Sequence, residues 1–206
     1  MAAEPLLELR GLRKAWPDGP ALAYPPLRLE AGGLHVVVGA NGAGKTTLLR
    51  LLAGLTAPEA GYELRWRGAA RTALPVLGAE ATLLQQRPYV FDVTAGGLLD
   101  LVRPPRPGLR ERLLAGHPLA QLQQRPLREL SGGLQRQCAL AAVALTAAPL
   151  VLLDEPAAGL DAAGRRYLDV VVAALREEGR TVLLAAQRDA LPADPAGVID
   201  LDEEHG

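Results

Sequence analysis

The stretch Gly39-Ala40-Asn41-Gly42-Ala43-Gly44-Lys45-Thr46-Thr47 limits the possible folds more than any other part of this chain. It fits a Gly-x-x-x-x-Gly-Lys-Thr pattern set between an apolar run and a helical one. Leu34 to Val38 reads as a buried strand. Lys45 to Ala53 reads as a helix, with Leu48, Leu49, Leu51 and Leu52 on its apolar side and Gly54 as its stop. Glycines let a backbone wrap closely round phosphate groups, and the amide N–H groups and helix N-terminus then face the negative charge. Lys45 adds a point charge near the terminal phosphates, and Thr46 is placed to hold Mg²⁺. Gly39, Asn41, Gly42, Ala43, Gly44, Lys45, Thr46 and Thr47 are therefore the candidate phosphate-binding residues.

Two later motifs extend this site. Leu150-Val151-Leu152-Leu153-Asp154-Glu155 is an apolar strand that ends in two acids. Such a strand delivers Asp154 to the Mg²⁺ side of a phosphate site, while Glu155 orients or deprotonates an attacking water. Leu130-Ser131-Gly132-Gly133, followed by Leu134-Gln135-Arg136-Gln137, starts a helix from a capping serine and bare backbone, which makes a second place for an anion.

Elsewhere short apolar runs alternate with helical patterns, as expected of an α/β fold with a largely parallel sheet. Leu6 to Leu9, Leu27 to Glu30, Tyr62 to Trp66, Leu150 to Leu153 and Thr181 to Ala186 are the other expected strands. Leu134 to Thr146 and Arg165 to Glu178 are the other expected helices, the second closed by Gly179. From about Arg87 to Glu129 prolines and arginines accumulate (Pro88, Pro104, Pro105, Pro107, Pro118, Pro126), which suggests an inserted helical subdomain with irregular joints. Residues 1–206 are expected to form one domain around it. Arg103, Arg106, Arg110 and Arg112 read as a solvated face, some of it contacting a partner.

Charge and cysteine content narrow the function classes. The 22 basic and 23 acidic residues nearly cancel, so no nucleic-acid partner is expected. The single cysteine, Cys138, excludes an internal disulfide or a multi-cysteine zinc site and reads as a small buried side chain. Met1 to Arg10 carries Glu4 and Glu8, lacks the plan of a signal peptide and reads as mature sequence. The uncharged stretch from Gln137 to Leu153 is interrupted by Pro149 and reads as helix, turn and buried strand, not as a membrane span.

With these motifs in this order, the chain resembles the ATP-binding cassette (ABC) ATPases, from Trp16 to Gln187. The resemblance implies a P-loop NTPase fold of the ABC-ATPase type, with a mostly parallel core sheet, N-terminal antiparallel strands and the helical subdomain at about 87–129. Leu130 to Gln137 looks like the signature element of that family. Trp16 looks like the aromatic that stacks on adenine, and Gln86 resembles the glutamine that meets Mg²⁺ or the attacking water, with Gln85 as the alternative register. Asp161, in Ala158-Gly159-Leu160-Asp161, resembles the acid that communicates between paired chains. The implied cofactors are ATP and Mg²⁺. The implied partners are a transmembrane permease and a second ATPase chain, held head to tail as a homodimer or heterodimer, so that Ser131, Gly132 and Gly133 of one chain close on nucleotide held by the other. The chain would then sit at the inner face of the cell membrane, hydrolysing ATP to drive transport. The alternative is a non-transport ABC protein or a nucleotide-gated module with weak hydrolysis.

Three departures stand out. Gln187 occupies the position where the family usually has a histidine at the terminal phosphate, and the histidines here are His35, His117 and His205. An amide can donate a hydrogen bond but carries no charge, which implies slower turnover. Leu134 stands where the signature usually has a glutamine, and the stretch from Gln86 to Ser131 is short for the family.

Overall fold

The computed structural model describes residues 4–17, 19, 21–102, 108–188, 191–192 and 194–202. In chain order the strands are β1 (Pro5–Arg10), β2 (Arg13–Lys14), β3 (Leu22–Ala23), β4 (Leu27–Glu30), β5 (Leu34–Val38), β6 (Glu63–Trp66), β7 (Ala69–Arg71), β8 (Ala81–Leu84), β9 (Leu150–Asp154), β10 (Thr181–Ala185) and β11 (Gly197–Asp200). The helices are α1 (Lys45–Leu52), α2 (Ala95–Asp100), α3 (Leu109–Leu114), α4 (Gly132–Leu145) and α5 (Ala162–Glu177), with 3₁₀ turns at Pro118–Ala120 and Leu127–Glu129.

Five strands form a parallel sheet in the order β11-β5-β10-β9-β8, and four form an antiparallel sheet in the order β4-β1-β6-β7. Strands β5, β9 and β10 are buried along their whole length, so both faces of the parallel sheet must be covered. Alternation along each strand divides the side chains between two cores. Val36, Val38, Val151, Leu153, Val182 and Leu184 pack with α4, α5 and the leucines of α2 and α3. Val37, Leu150, Leu152 and Leu183 pack with α1 and the antiparallel sheet. Helix α1 exists because Leu48, Leu49, Leu51 and Leu52 are wholly buried there.

Among the described residues between Arg87 and Glu129 the helical elements are α2, α3 and the two turns. Thr94 caps α2 by accepting a hydrogen bond from the Gly97 amide. Arg103, Pro104, Pro105, Arg106 and Pro107 lie outside the described residues, as does His205. Of the arginines read as a solvated face, Arg112 is exposed and Arg110 is partly exposed, and both are engaged in ion pairs there. Arg110 pairs with Asp100 and with Gln123 Oε1 at 2.7 Å, and Arg112 reaches Glu177 at 3.2 Å and Glu178 at 3.6 Å, tying α3 to the end of α5. Cys138 is fully buried and its thiol is pushed up to about 11 by that burial, so it is an inert packing group. No helix among the described residues is long and apolar enough to cross a membrane; Gln137 to Leu153 divides into the end of α4 and most of β9.

Candidate active site

Parallel strands of an open α/β sheet present their carboxyl ends along one edge, and that edge is where ligands bind. Here β5 runs into Gly39 to Gly44 and α1, β9 ends at Asp154 beside Glu155, β10 leads to Gln187 and β8 leads to Gln86. In the register, Ala185 lies beside both Asp154 and Val37, so β10 sits between the glycine loop and the two acids.

The loop is held by contacts that require its glycines. Gly42 and Gly44 have φ of 89° and 97°, where any other residue is strained. A Cβ on Gly44 would also lie 2.8 Å from the Leu22 side chain. Tyr24 donates its hydroxyl to Gly44 O at 3.1 Å. The Lys45 ammonium is buried and donates to Gly39 O at 2.7 Å and Ala40 O at 3.0 Å. On the outer side of the loop the Ala40 amide donates to both Asp202 carboxylate oxygens, at 2.8 and 2.9 Å.

Thr46 joins the loop to the acids, its hydroxyl donating to Asp154 Oδ2 at 2.9 Å. The other carboxylate oxygen, Oδ1, is buried and has no hydrogen-bond partner. Burial pushes the Asp154 carboxyl above its usual range; the Thr46 hydrogen bond pulls the other way and the neighbouring Glu155 charge adds to the push. A buried carboxylate oxygen without a partner, beside a threonine hydroxyl, is the hard oxygen donor set that suits Mg²⁺.

Glu155 sits in the left-handed region at φ 45°, an unfavourable conformation for a residue with a side chain. Its amide donates to Ala185 O at 3.1 Å and its carbonyl accepts from the Ala158 amide at 3.1 Å. Gln86 Nε2 donates to Glu155 Oε2 at 2.8 Å, so of the two adjacent glutamines it is Gln86 that touches the acid. Arg136, which lies in the stretch Leu130 to Gln137 but is given no role of its own by the sequence, spans the neighbourhood. Its guanidinium donates to Ala158 O at 2.7 Å and also to Gln86 O, linking the loops that follow β8 and β9. Burial lowers its affinity for its proton, and the charges of Glu155 and Asp154 counter that only in part.

The other expected residues lie in separate places. Ser131 caps α4, its hydroxyl accepting from the Leu134 amide at 3.3 Å. A Cβ on Gly132 or Gly133 would meet nothing within 4 Å, so no packing inside this chain demands glycine there. Asp161 caps α5 by accepting from the Gly164 amide at 2.7 Å. Ser131, Gly133 and Asp161 line a groove of about 670 Å³ that the glycine loop does not enter. Glu155 and Gln187 share a second groove, of about 750 Å³. Trp16 is half-exposed between β2 and β3, with the Lys14 ammonium 5.7 Å from its ring centre.

A phosphate-cradling loop at the carboxyl edge of a parallel sheet, joined by a hydroxyl to a buried carboxylate, defines a P-loop nucleotide-binding protein. The chain belongs to the ABC transporter family, which it matches over residues 25–158. It is 35% identical over 210 residues to the daunorubicin resistance ATP-binding protein DrrA3 of Streptomyces coeruleorubidus, covering 96% of this chain and 66% of that one. It is 40% identical over 151 residues to the cytochrome c biogenesis ATP-binding export protein CcmA of Cupriavidus necator, covering 66% of this chain and 63% of that one. These alignments thus span about two thirds of the length of both relatives. Among solved structures, a putative ABC transporter ATP-binding protein from Pyrococcus furiosus has the same fold, with a TM-score of 0.76 at 24% identity over 95% of this chain and 97% of that one.

Proposed function

We propose that this chain is the ATP-binding and hydrolysing subunit of an ABC transporter, powering movement of a solute through a partner membrane permease. The hydrogen bond from Thr46 to Asp154, with the unpartnered Asp154 oxygen beside it, is the observation that carries this reading. It joins the glycine loop to the Asp154 carboxylate, which supports reading the two as one site.

Within that site the backbone of Gly39 to Thr47 binds the phosphates, and Lys45, whose two carbonyl hydrogen bonds leave it one further N–H, turns that donor toward them. Thr46, Asp154 and Gln86 would hold Mg²⁺, which when bound supplies neutralisation of charge on the terminal phosphate oxygens. Glu155 orients the attacking water and accepts its proton, and Gln86 holds the Glu155 carboxylate in place. Gln187, at the end of β10, donates an amide hydrogen bond to the terminal phosphate, and Trp16 stacks on the adenine.

Gly132 and Gly133, open on their side-chain face, support a site completed by a second chain paired head to tail, with Asp161 at the junction. Tyr89 and Phe91, a T-shaped pair with ring centres 4.9 Å apart, are both exposed just beyond Gln86. They suit the permease contact, which would place the chain at the cytoplasmic face of the membrane.

Gln187 favours a second reading, a nucleotide-gated module with weak hydrolysis. Steady-state hydrolysis of Mg-ATP by the purified chain, beside Glu155→Gln and Gln187→His, separates the two. The transporter reading expects turnover by the native chain, a loss of at least about a hundredfold in Glu155→Gln, and faster turnover in Gln187→His. Turnover only in Gln187→His leaves the gated module, and a native chain that binds no ATP overturns both.

A further inference from the structure

Four of the five parallel strands deliver a group to the site from their carboxyl ends, and the fifth, β11, delivers Asp202. Strand β11 pairs with β5 up to Asp200 beside Val38, and the Leu201 amide then donates to Val38 O at 2.9 Å. Asp202 therefore lies beside the first residues of the phosphate loop. Its carboxylate accepts the Ala40 amide through both oxygens.

The Ala40 N–H belongs to the same peptide unit as the Gly39 carbonyl, which accepts from the Lys45 ammonium at 2.7 Å. One peptide plane is thus clamped at both ends, by an anion on its N–H and a cation on its carbonyl. Charge-assisted hydrogen bonds are the stronger kind, and bonds in series polarise one another, so this unit is fixed in orientation. Asp202 is held in turn. Its amide donates to Asp200 Oδ1 at 2.9 Å, and Arg188 lies 3.3 Å from Asp202 Oδ2 and 2.5 Å from Asp200 Oδ2. Arg188 directly follows Gln187.

We propose that Asp202 is a positioning residue of the phosphate loop, which fixes the Gly39–Ala40 peptide and, through Arg188, ties it to the segment that carries Gln187. The inference rests on the reading of Gly39 to Thr47 as the nucleotide phosphate site. The Asp202 carboxylate is engaged by the Ala40 amide and Arg188 and has no contact with Glu155 or Gln86, so its loss is expected to act on binding and to spare the chemical step. The Arg188 side chain is 56% exposed, so its ion pair contributes less than the amide contacts.

The test is calorimetric titration of the full chain with ADP in the presence of Mg²⁺, together with steady-state hydrolysis and thermal melts. Asp202→Ala is expected to raise Kd and KM about tenfold while kcat stays within about threefold, an order of magnitude in affinity being the effect of removing one charge-assisted hydrogen bond. Asp202→Asn keeps an acceptor and falls between, Arg188→Ala has the smaller effect, and the double variant Asp202→Ala/Arg188→Ala binds no more weakly than Asp202→Ala. A folded Asp202→Ala with wild-type Kd overturns the proposal. So does a lowered melting temperature and kcat with KM unchanged, which is what a merely structural residue produces. If Asp202→Ala does not fold, Asp202→Asn decides, and an unchanged Kd there is equally fatal. Failure of the wild-type chain to bind ADP removes the nucleotide reading and this inference together, whereas normal wild-type binding with an indifferent Asp202 removes only the inference.

Discussion

Among single residues, those that gather at the site are held by neighbours that carry little sequence signal. Gln86, Glu155, Asp154 and Thr46 stand in patterns that assign each a role, whereas Arg136 lies in the signature stretch with no role assigned and Asp202 lies in no pattern, yet these two fix the loops around them. A guanidinium that meets backbone carbonyls leaves no partner residue to search for in the sequence, and an aspartate that accepts a backbone amide leaves none either. The histidines give a testable consequence of burial. His35 is buried on β5 and accepts the Glu30 amide at 2.9 Å through Nε2; burial holds its affinity for a proton below the ordinary value. The unfolded chain then takes up the proton first as pH falls below about 6.5, so the contribution of neutral His35 to stability is present above that pH and is lost as pH drops toward its folded value. His117 is lowered by burial too, so it acts in the same direction. Asp154, raised by burial, acts oppositely at lower pH. Urea unfolding of the wild type and of His35→Gln at several pH values should therefore show the difference between them shrinking on acidification below about pH 6.5. A constant difference would deny the linkage.

The helix α4 carries Ser131, Gly132 and Gly133 at its start, and its far end is fixed by Arg180. That buried guanidinium donates to Ala148 O at 2.8 Å, to Ala144 O and to Thr146 Oγ1 at 3.2 Å, and burial pulls it down to about 10. Arg180→Ala leaves several buried acceptors bare and should cost about 3 kcal/mol. For a chain of this size that is a fall in melting temperature of roughly 6–12 °C, measurable by circular dichroism. Legibility followed element length and burial. The bounds of β4 and β5 coincide with those read from the sequence, and β1, β6, β9, β10, α1, α4 and α5 differ by at most three residues at an end. Helices α4 and α5 begin earlier than their apolar pattern because Ser131 and Asp161 cap them. Strands β2, β3 and β7 have only two or three residues, too few to show an alternation. Strand β8 has only two large apolar residues, Leu83 and Leu84, and β11, an edge strand with no residue fully buried, has a weak apolar signal. From Arg87 to Glu129 the helices are brief because leucines packing on α4, not a helical period, decide where the chain goes.

For the molecule as a whole, the expected parallel sheet with N-terminal antiparallel strands is present. What no sequence pattern revealed is how the two cores share it. Val36 and Val38 enter one core and Val37 the other, and β9 and β10 divide their side chains in the same way. A strand cannot leave one core without stripping the other, so neither hydrophobic layer has an independent stability. Heating the nucleotide-free chain in a scanning calorimeter should give one transition whose calorimetric and van't Hoff enthalpies agree. Two resolved peaks would mean that the layers melt apart. The central strands thus act as a common wall between two rooms: a cavity opened on the side of α5 would loosen α1 and its phosphate loop by thinning the wall they share, without touching either.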